Sequence, residues 1–362
     1  MSETVPAART GQALRPIRRA TTHAAHALYV VEYGLFLAVM GLFRALGLRR
    51  ASDFGGWLAR TLGPRSPVTR RARRNLERAL PHLSAAERER TIVEMWDNLG
   101  RTFAEYPHLE KFWAVKPGAR IEISGMEHAV AAISKGRGGL FVAGHCGNWE
   151  TMPRCIKDVG QQGTLVYRPP NNPYVDAWIS KQRAIGLPTM AAKGGESARS
   201  LIRTLKSGGF LAMLVDQKAN DGISVPFFGR PAMTATGAPN LALRHNAPIV
   251  PAWGVRLPGQ RFRLTVYPEI PFPNTGDRDK DTYALALALN QFLEARIREN
   301  PANWLWLHSR WPTEGRQAFA SCSPISCCSR LIAFKGRTMT LKCVIRPCAS
   351  QVMMSTPLIL MP

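Results

Sequence analysis

From about Ile121 onward the chain alternates short apolar runs with helical stretches, and this alternation narrows the fold more than any other feature. GLFVAG (Gly139–Gly144), TLVY (Thr164–Tyr167), FLAMLVD (Phe210–Asp216) and APIVPAWGV (Ala247–Val255) are mostly continuous apolar runs of strand length. Runs of that kind suit strands buried on both faces. RFRLTVY (Arg261–Tyr267) alternates instead, which predicts a position nearer a sheet edge. Between the runs, ESARSLIRTLKSGG sets Ala198, Leu201, Ile202 and Leu205 on one helical face and stops at Gly208–Gly209. Asp281–Glu299 predicts another helix, ending before Pro301. Strand–helix–strand order points to the α/β class, with a largely parallel central sheet flanked by helices. Ligands of such sheets gather at the strand C-terminal ends.

Ahead of this body the chain is basic, then apolar, then basic again. Residues 1–22 are polar, with Arg9, Arg15, Arg18 and Arg19. Ala24–Phe43 is long enough as a helix, about 30 Å, to match a hydrocarbon core. Glu32 is the one charge inside it, and a carboxylate at mid-bilayer is costly unless protonated or paired. Two modes of attachment follow: a single span, or an interfacial helix with Arg44, Arg49 and Arg50 reaching lipid phosphates. A buried core helix is the bland alternative, and no small-x-small site follows the run as a signal peptide would require. Membrane anchoring over 23–48 is the expectation. Residues 49–120 read as a basic helical region, with Arg70, Arg71, Arg73 and Arg74 clustered. There Ser84 and Glu87 form a capping-box pattern ahead of the stripe Ile92, Met95, Trp96 and Leu99.

Charge and cysteine use bound the class. Against 25 Asp+Glu stand 48 Lys+Arg, a net charge of +23, so an anionic partner is expected. No recognised nucleic-acid motif accompanies the arginines, and an anionic phospholipid surface is preferred over nucleic acid. Seven cysteines in no framework spacing argue against a secreted disulfide scaffold and for a reduced, cytosol-facing body.

The chemistry concentrates in Gly144-His145-Cys146-Gly147-Asn148-Trp149-Glu150, directly after a strand. In a continuous helix His145 and Glu150 would diverge by about 140°, but a turn through Gly147 can bring them together. A carboxylate on one imidazole nitrogen fixes the tautomer and leaves the other free to take a proton from a hydroxyl. The expected device is therefore a His145–Glu150 dyad whose nucleophile belongs to the substrate. Cys146 is too close in sequence to His145 to be its thiolate partner, and a metal reading lacks a convincing third ligand.

Other strand ends carry polar residues that fit one site. Arg168, in YRPPNNPY, can bind phosphate or steady an oxyanion, or be a surface-loop arginine. Lys193-Gly194-Gly195-Glu196 precedes a helix but lacks the nucleotide P-loop pattern. Asp216 and Gln217 close another strand. Phe227 and Phe228, in VPFFGR, read either as an acyl-chain pocket on a kinked loop or as core.

Taken in order, these pieces resemble the late acyltransferases of lipid A biosynthesis, the lauroyl/myristoyl transferase family. The matching stretches are the basic-flanked apolar helix, GHCGNWE, YRPPNNPYVD, the VDQ strand end, VPFFGRPAMTATG and NPANWLWLHSRWP, over roughly residues 25–313. HxxxxE alone is shared with a wider acyltransferase superfamily; the other blocks are more specific. The resemblance implies acyl transfer from acyl carrier protein to a hydroxyl of an acylated glucosamine disaccharide, at the cytoplasmic face of a Gram-negative inner membrane. It implies His145 as general base with Glu150 as partner, and Arg168 near the thioester or a substrate phosphate. Asn148, Asp216 and Gln217 fall at motif positions of supporting role. No cofactor is implied beyond the acyl-carrier co-substrate.

The resemblance covers an α/β body over 121–314. After Trp311-Pro312 the pattern stops, and residues 315–362, with five of the cysteines, read as an appended or frame-altered tail. Rival readings are a relative acylating another lipid, a non-catalytic basic membrane- or nucleic-acid-binding protein, and a thioesterase using the same base on water.

Overall fold

The computed structural model describes residues 23–311 apart from 116, 159, 188, 193 and 194. The segment 1–22, the tail 315–362 and Lys193-Gly194 therefore lie outside the described residues.

Helix α1 (His23–Leu62) is apolar and changes direction at Gly47, whose φ of 71° and ψ of 161° are not helical. It is long and apolar enough to cross a membrane, yet it is packed along one side. Tyr33 stacks on Tyr174 at 5.7 Å, Phe36 meets Trp178 edge-on at 5.0 Å, and Met40 and Phe43 are buried. Leu28, Val31, Leu35 and Leu42 face outward and are exposed. Glu32, the charge that made a clean span doubtful, accepts a hydrogen bond from Asn172 Nδ2 at 3.0 Å. It therefore has a polar partner in the body.

Helix α2 (Thr69–Ala79) carries the arginine cluster, and α3 (Ala85–Glu105) opens with the Ser84/Glu87 capping box formed in both directions. Ile92, Met95 and Trp96 are buried, as their helical spacing predicts. Two glycines let α1 and α3 touch backbone to backbone. A Cβ on Gly100 would fall 2.2 Å from the Gly55 carbonyl oxygen, and one on Gly55 2.6 Å from the Ala104 Cβ.

The body follows as β1 (Ile121–Ser124), α4 (Met126–Ile133), β2 (Gly139–Ala143), α5 (Met152–Asp158), β3 (Gly163–Tyr167), α6 (Pro173–Arg183), β4 (Thr189–Ala192), α7 (Gly195–Lys206) and β5 (Phe210–Leu214). A hairpin, β6 (Lys218–Phe227) and β7 (Arg230–Thr234), then leads to α8 (Gly237–His245), β8 (Ile249–Leu257), β9 (Arg261–Val266) and α9 (Arg278–Glu299). Seven strands form one sheet in the order β1-β9-β8-β2-β5-β3-β4. Every pair is parallel except β8–β9. The expected α/β architecture is present.

RFRLTVY, as β9, lies near one edge as its alternation predicts, one strand in, with β1 outside it and Ile121 opposite Phe262. Its alternation arises because one face is solvated, where Arg261 and Arg263 both reach Glu122, while Phe262 and Leu264 are buried. VPFFGR is not a kinked loop but the turn of the β6–β7 hairpin, with Phe227 opposite Arg230 and Phe228 at φ 51°.

The largest cluster of the core joins this hairpin to the last described segment. Phe227 lies 5.9 Å from Trp304 and 5.5 Å from Trp311, and Trp304 lies 4.7 Å from Trp306. Asn75 of α2 donates to the carbonyls of Trp306 and His308 at 2.8 and 2.7 Å. The chain from 303 to 311 is thus clamped between α2, the hairpin and the sheet, which brings residues near position 308 to the C-terminal end of β2.

Candidate active site

The strand order makes β2, β5 and β3 neighbours, so the residues after each share one edge of the sheet. His145 follows β2, Asp216 and Gln217 follow β5, and Arg168 follows β3. By ordinary strand spacing Arg168 stands about 10 Å along the edge from the histidine. Arg168 is exposed there.

The loop bearing His145 is a turn shaped from outside. Gly147 has a φ of 53°, and a Cβ there would lie 2.9 Å from the Gly254 carbonyl oxygen, so only glycine fits without strain. Gly147 N–H donates to Asn303 O at 3.1 Å, and Leu305 N–H donates to His145 O at 3.1 Å. Asn98 Nδ2 donates to Gly147 O at 2.8 Å.

His145 Nδ1 lies 2.7 Å from Asp216 Oδ1, and its backbone N–H donates to Asp216 Oδ2 at 2.9 Å. Trp304 Nε1 donates to the same Oδ2 at 2.7 Å. Asp216 is fully buried. Burial alone would raise its carboxyl pKa, but the charge of His145 and these hydrogen bonds hold it well below the usual carboxylate range. An ionised Asp216 against Nδ1 keeps the proton on that nitrogen and turns Nε2 into the basic one.

The carboxylate expected in this role was Glu150, and the structure gives its place to Asp216. Glu150 instead accepts from Arg183 Nη2 at 2.6 Å and Arg183 Nε at 2.7 Å, and from Trp149 Nε1 at 3.0 Å. Its burial opposes ionisation, but the Arg183 charge outweighs this and lowers its pKa. Tyr106 joins the network through its hydroxyl, 3.1 Å from Arg183. Glu150 meets His145 only at second hand, through the Trp149 ring, which lies edge-on to the imidazole at 5.1 Å.

Three other expected residues find their places. Asn148 is buried, donating to Glu105 Oε2 at 2.7 Å and accepting from Glu150 N–H at 3.2 Å, so both ends of its amide serve the protein. Arg256 pairs with the same Glu105, and this network anchors the loop to α3. Phe227 and Phe228 are buried against Trp304, Trp306 and Trp311, which makes them core side chains and not the walls of an open acyl pocket. Cys146 is fully buried, and burial pushes its thiol pKa far up. Among the described residues no three His, Cys, Asp or Glu side chains converge as metal ligands.

Gln217 is half-buried between two imidazoles, its Nε2 3.2 Å from His145 Nε2 and 3.2 Å from His308 Nε2. His308 and Arg183 escaped sequence reasoning. His308 lies within the NPANWLWLHSRWP block, and Arg183 ends a helix whose start alone stood out.

Comparison with known proteins gives a family for the chain. Residues 20–313 match the family described as bacterial lipid A biosynthesis acyltransferase. The lipid A biosynthesis lauroyltransferase of Escherichia coli (strain K12) is 30% identical over 66% of this chain and 78% of its own. The palmitoleoyltransferase of the same strain is 28% identical over 67% and 78%. A phosphatidylinositol mannoside acyltransferase of Mycobacterium tuberculosis (strain CDC 1551 / Oshkosh) is 26% identical over 73% and 82%.

Proposed function

The chain belongs to the bacterial lipid A biosynthesis acyltransferase family, and we propose that it transfers a fatty acyl group from an acyl carrier protein thioester to a hydroxyl of a lipid A precursor. The observation that carries the reading is the 2.7 Å contact between His145 Nδ1 and the buried Asp216. His145 Nε2 takes the proton of the acceptor hydroxyl as its oxygen attacks the thioester carbon. The tetrahedral intermediate then collapses, the carbon–sulfur bond breaks, and the imidazolium returns its proton to the leaving thiolate. Asp216 stabilises the imidazolium between these steps. The driving force resides in the thioester, so the reaction calls for no cofactor. Glu150 and Arg183 act as support, bracing Trp149 against the imidazole. Arg168 is suited to a lipid phosphate or to the oxyanion.

The exposed face of α1 and the basic surface suit an anionic phospholipid bilayer, with the site at the cytoplasmic face of the inner membrane. Because α1 is packed along one side and Glu32 is hydrogen-bonded to the body, attachment by its outward stripe is favoured over a free-standing span.

A second acceptor class has a specific observation in its favour. The mycobacterial relative is named for a phosphatidylinositol mannoside, so a glycolipid other than a lipid A precursor is the alternative. The test offers purified protein acyl carrier protein thioesters with a lipid A precursor, with phosphatidylinositol mannoside, or with no acceptor, and reads products by mass. Acylated lipid A precursor from wild type, absent with His145→Ala, is expected. Transfer to the mannoside alone, or thioester loss without an acceptor, would replace the proposal.

A further inference from the structure

We propose that His308 is a positioning residue that holds the Gln217 amide against the base nitrogen of His145, so that one Gln217 N–H is already aimed where the substrate oxygens arrive. This rests on His145 being the base and extends that reading to how the site is kept ready.

An amide nitrogen carries two hydrogens and offers no lone pair. With Gln217 Nε2 3.2 Å from both imidazole Nε2 atoms, each ring must accept one of them. For His145 this agrees with a proton on Nδ1, facing Asp216 Oδ1. For His308 it requires a neutral ring. Burial, and then the nearby charge of His145, lower its pKa to about 4. Asp216 and Arg71 are the other charged groups that act on it. The two rings stand 5.0 Å apart, centroid to centroid, with the amide between them.

The position of His308 is itself fixed. Its carbonyl accepts from Asn75 Nδ2 at 2.7 Å, and Arg71 Nη1 donates to the neighbouring Leu307 carbonyl at 3.2 Å. A binding hydroxyl must take the place of the Gln217 N–H on His145 Nε2. The displaced hydrogen is then free to meet the oxyanion, while the second hydrogen stays on His308 and limits how far the amide turns. Without His308, Gln217 keeps its chemistry and loses its aim.

The test has a readout that needs no substrate. A neutral imidazole nitrogen attacks a carbonyl of diethylpyrocarbonate and becomes ethoxycarbonylated as ethanol and carbon dioxide leave, and peptide mass spectrometry isolates the product at His145. Removing the cap with Gln217→Ala should raise the His145 labelling rate several-fold. His308→Leu should raise it to a similar degree, and His308→Gln, whose amide can again accept, should restore the slow rate. In acyl transfer, His308→Leu should lower kcat by about tenfold to a hundredfold with little change in KM, within the range set by loss of one oxyanion donor. The Gln217→Ala/His308→Leu double variant should be no worse than Gln217→Ala alone. Thermal melting identifies a variant that does not fold, and His308→Met then takes the place of Leu. Labelling in His308→Leu no faster than in wild type, or additive losses in the double variant, would overturn the proposal. If wild type transfers no acyl group, the acyltransferase reading fails, and the labelling arm still decides this one.

Discussion

Glu150 gives both carboxylate oxygens to Arg183, at 2.6 and 2.7 Å, and both partners are largely enclosed by protein. The acid of the HxxxxE motif is thus committed to an ion pair, and the imidazole is served by an acid from another strand. This division separates two variants that look alike in sequence. Glu150→Gln leaves the Arg183 charge without a full counterion inside the protein, which should cost about 3 kcal/mol of stability. Asp216→Asn should lose activity by about 10³- to 10⁴-fold, by analogy with other His–Asp pairs, whereas Glu150→Gln should keep far more of it. Chemical denaturation and kcat measured on the same preparations distinguish the two. Equal activity losses would show that the roles are not divided.

Stability should fall with acid in two stages. The folded pKa of His308 is depressed to about 4, so the unfolded chain binds the extra proton first. Its contribution is fully present above about pH 6.5 and is lost as pH falls toward 4, on the order of 3 kcal/mol in all. Glu150 and Asp216 are also depressed. Their contribution is present above the unfolded carboxylate range, about pH 4, and is lost below it. Urea midpoints at pH 7.5, 6 and 5 should decline for wild type, with a shallower slope for His308→Gln. Equal slopes in the two proteins would remove His308 as the source.

The outward stripe of α1 should dock the protein on membranes. Leu28, Val31 and Leu35 are 57%, 59% and 66% exposed. Replacing all three with Ser removes apolar area worth about 3 kcal/mol if half of each side chain enters lipid, or roughly a hundredfold in partitioning. Flotation with anionic vesicles measures this, with the melting temperature of the body unchanged. Undiminished flotation would place membrane contact elsewhere.

The α1–α3 contact should be intolerant of side chains. Gly100→Val would drive a branched side chain into the Gly55 carbonyl oxygen, already 2.2 Å from an added Cβ. A loss of about 3 kcal/mol is expected, the upper part of the overpacking range. Gly34→Ala, where nothing lies within 4 Å of the new Cβ, serves as the neutral control.

Much of the architecture was legible in the chain itself because it is local. Apolar runs in Gly139–Gly144 and Phe210–Asp216 can be satisfied only between other strands, and Ser84 with Glu87 starts a helix by its own hydrogen bonds. The hairpin at Phe227–Phe228 was not legible, since an apolar turn next to Pro226 has the composition of a loop. The alternation of RFRLTVY did place it near one edge, but which strand pairs outside it was not legible, because alternation reports a solvated face and carries no information on what pairs at the strand's edge.

Position at the strand ends was enough to single out His145, Asp216 and Gln217, since a parallel sheet exposes those ends together. Which acid meets the imidazole is a different question. Spacing along the chain brings Glu150 near His145, but Asp216 reaches it across two adjacent strands, and Arg183, arriving at the end of a helix, takes Glu150 away. The same holds for His308, carried to the site by a segment clamped between α2 and the hairpin. Residue types and element order follow from interactions a few positions apart, whereas partners of buried charges are settled by whichever opposite charge the packing brings closest, and only the folded chain decides that.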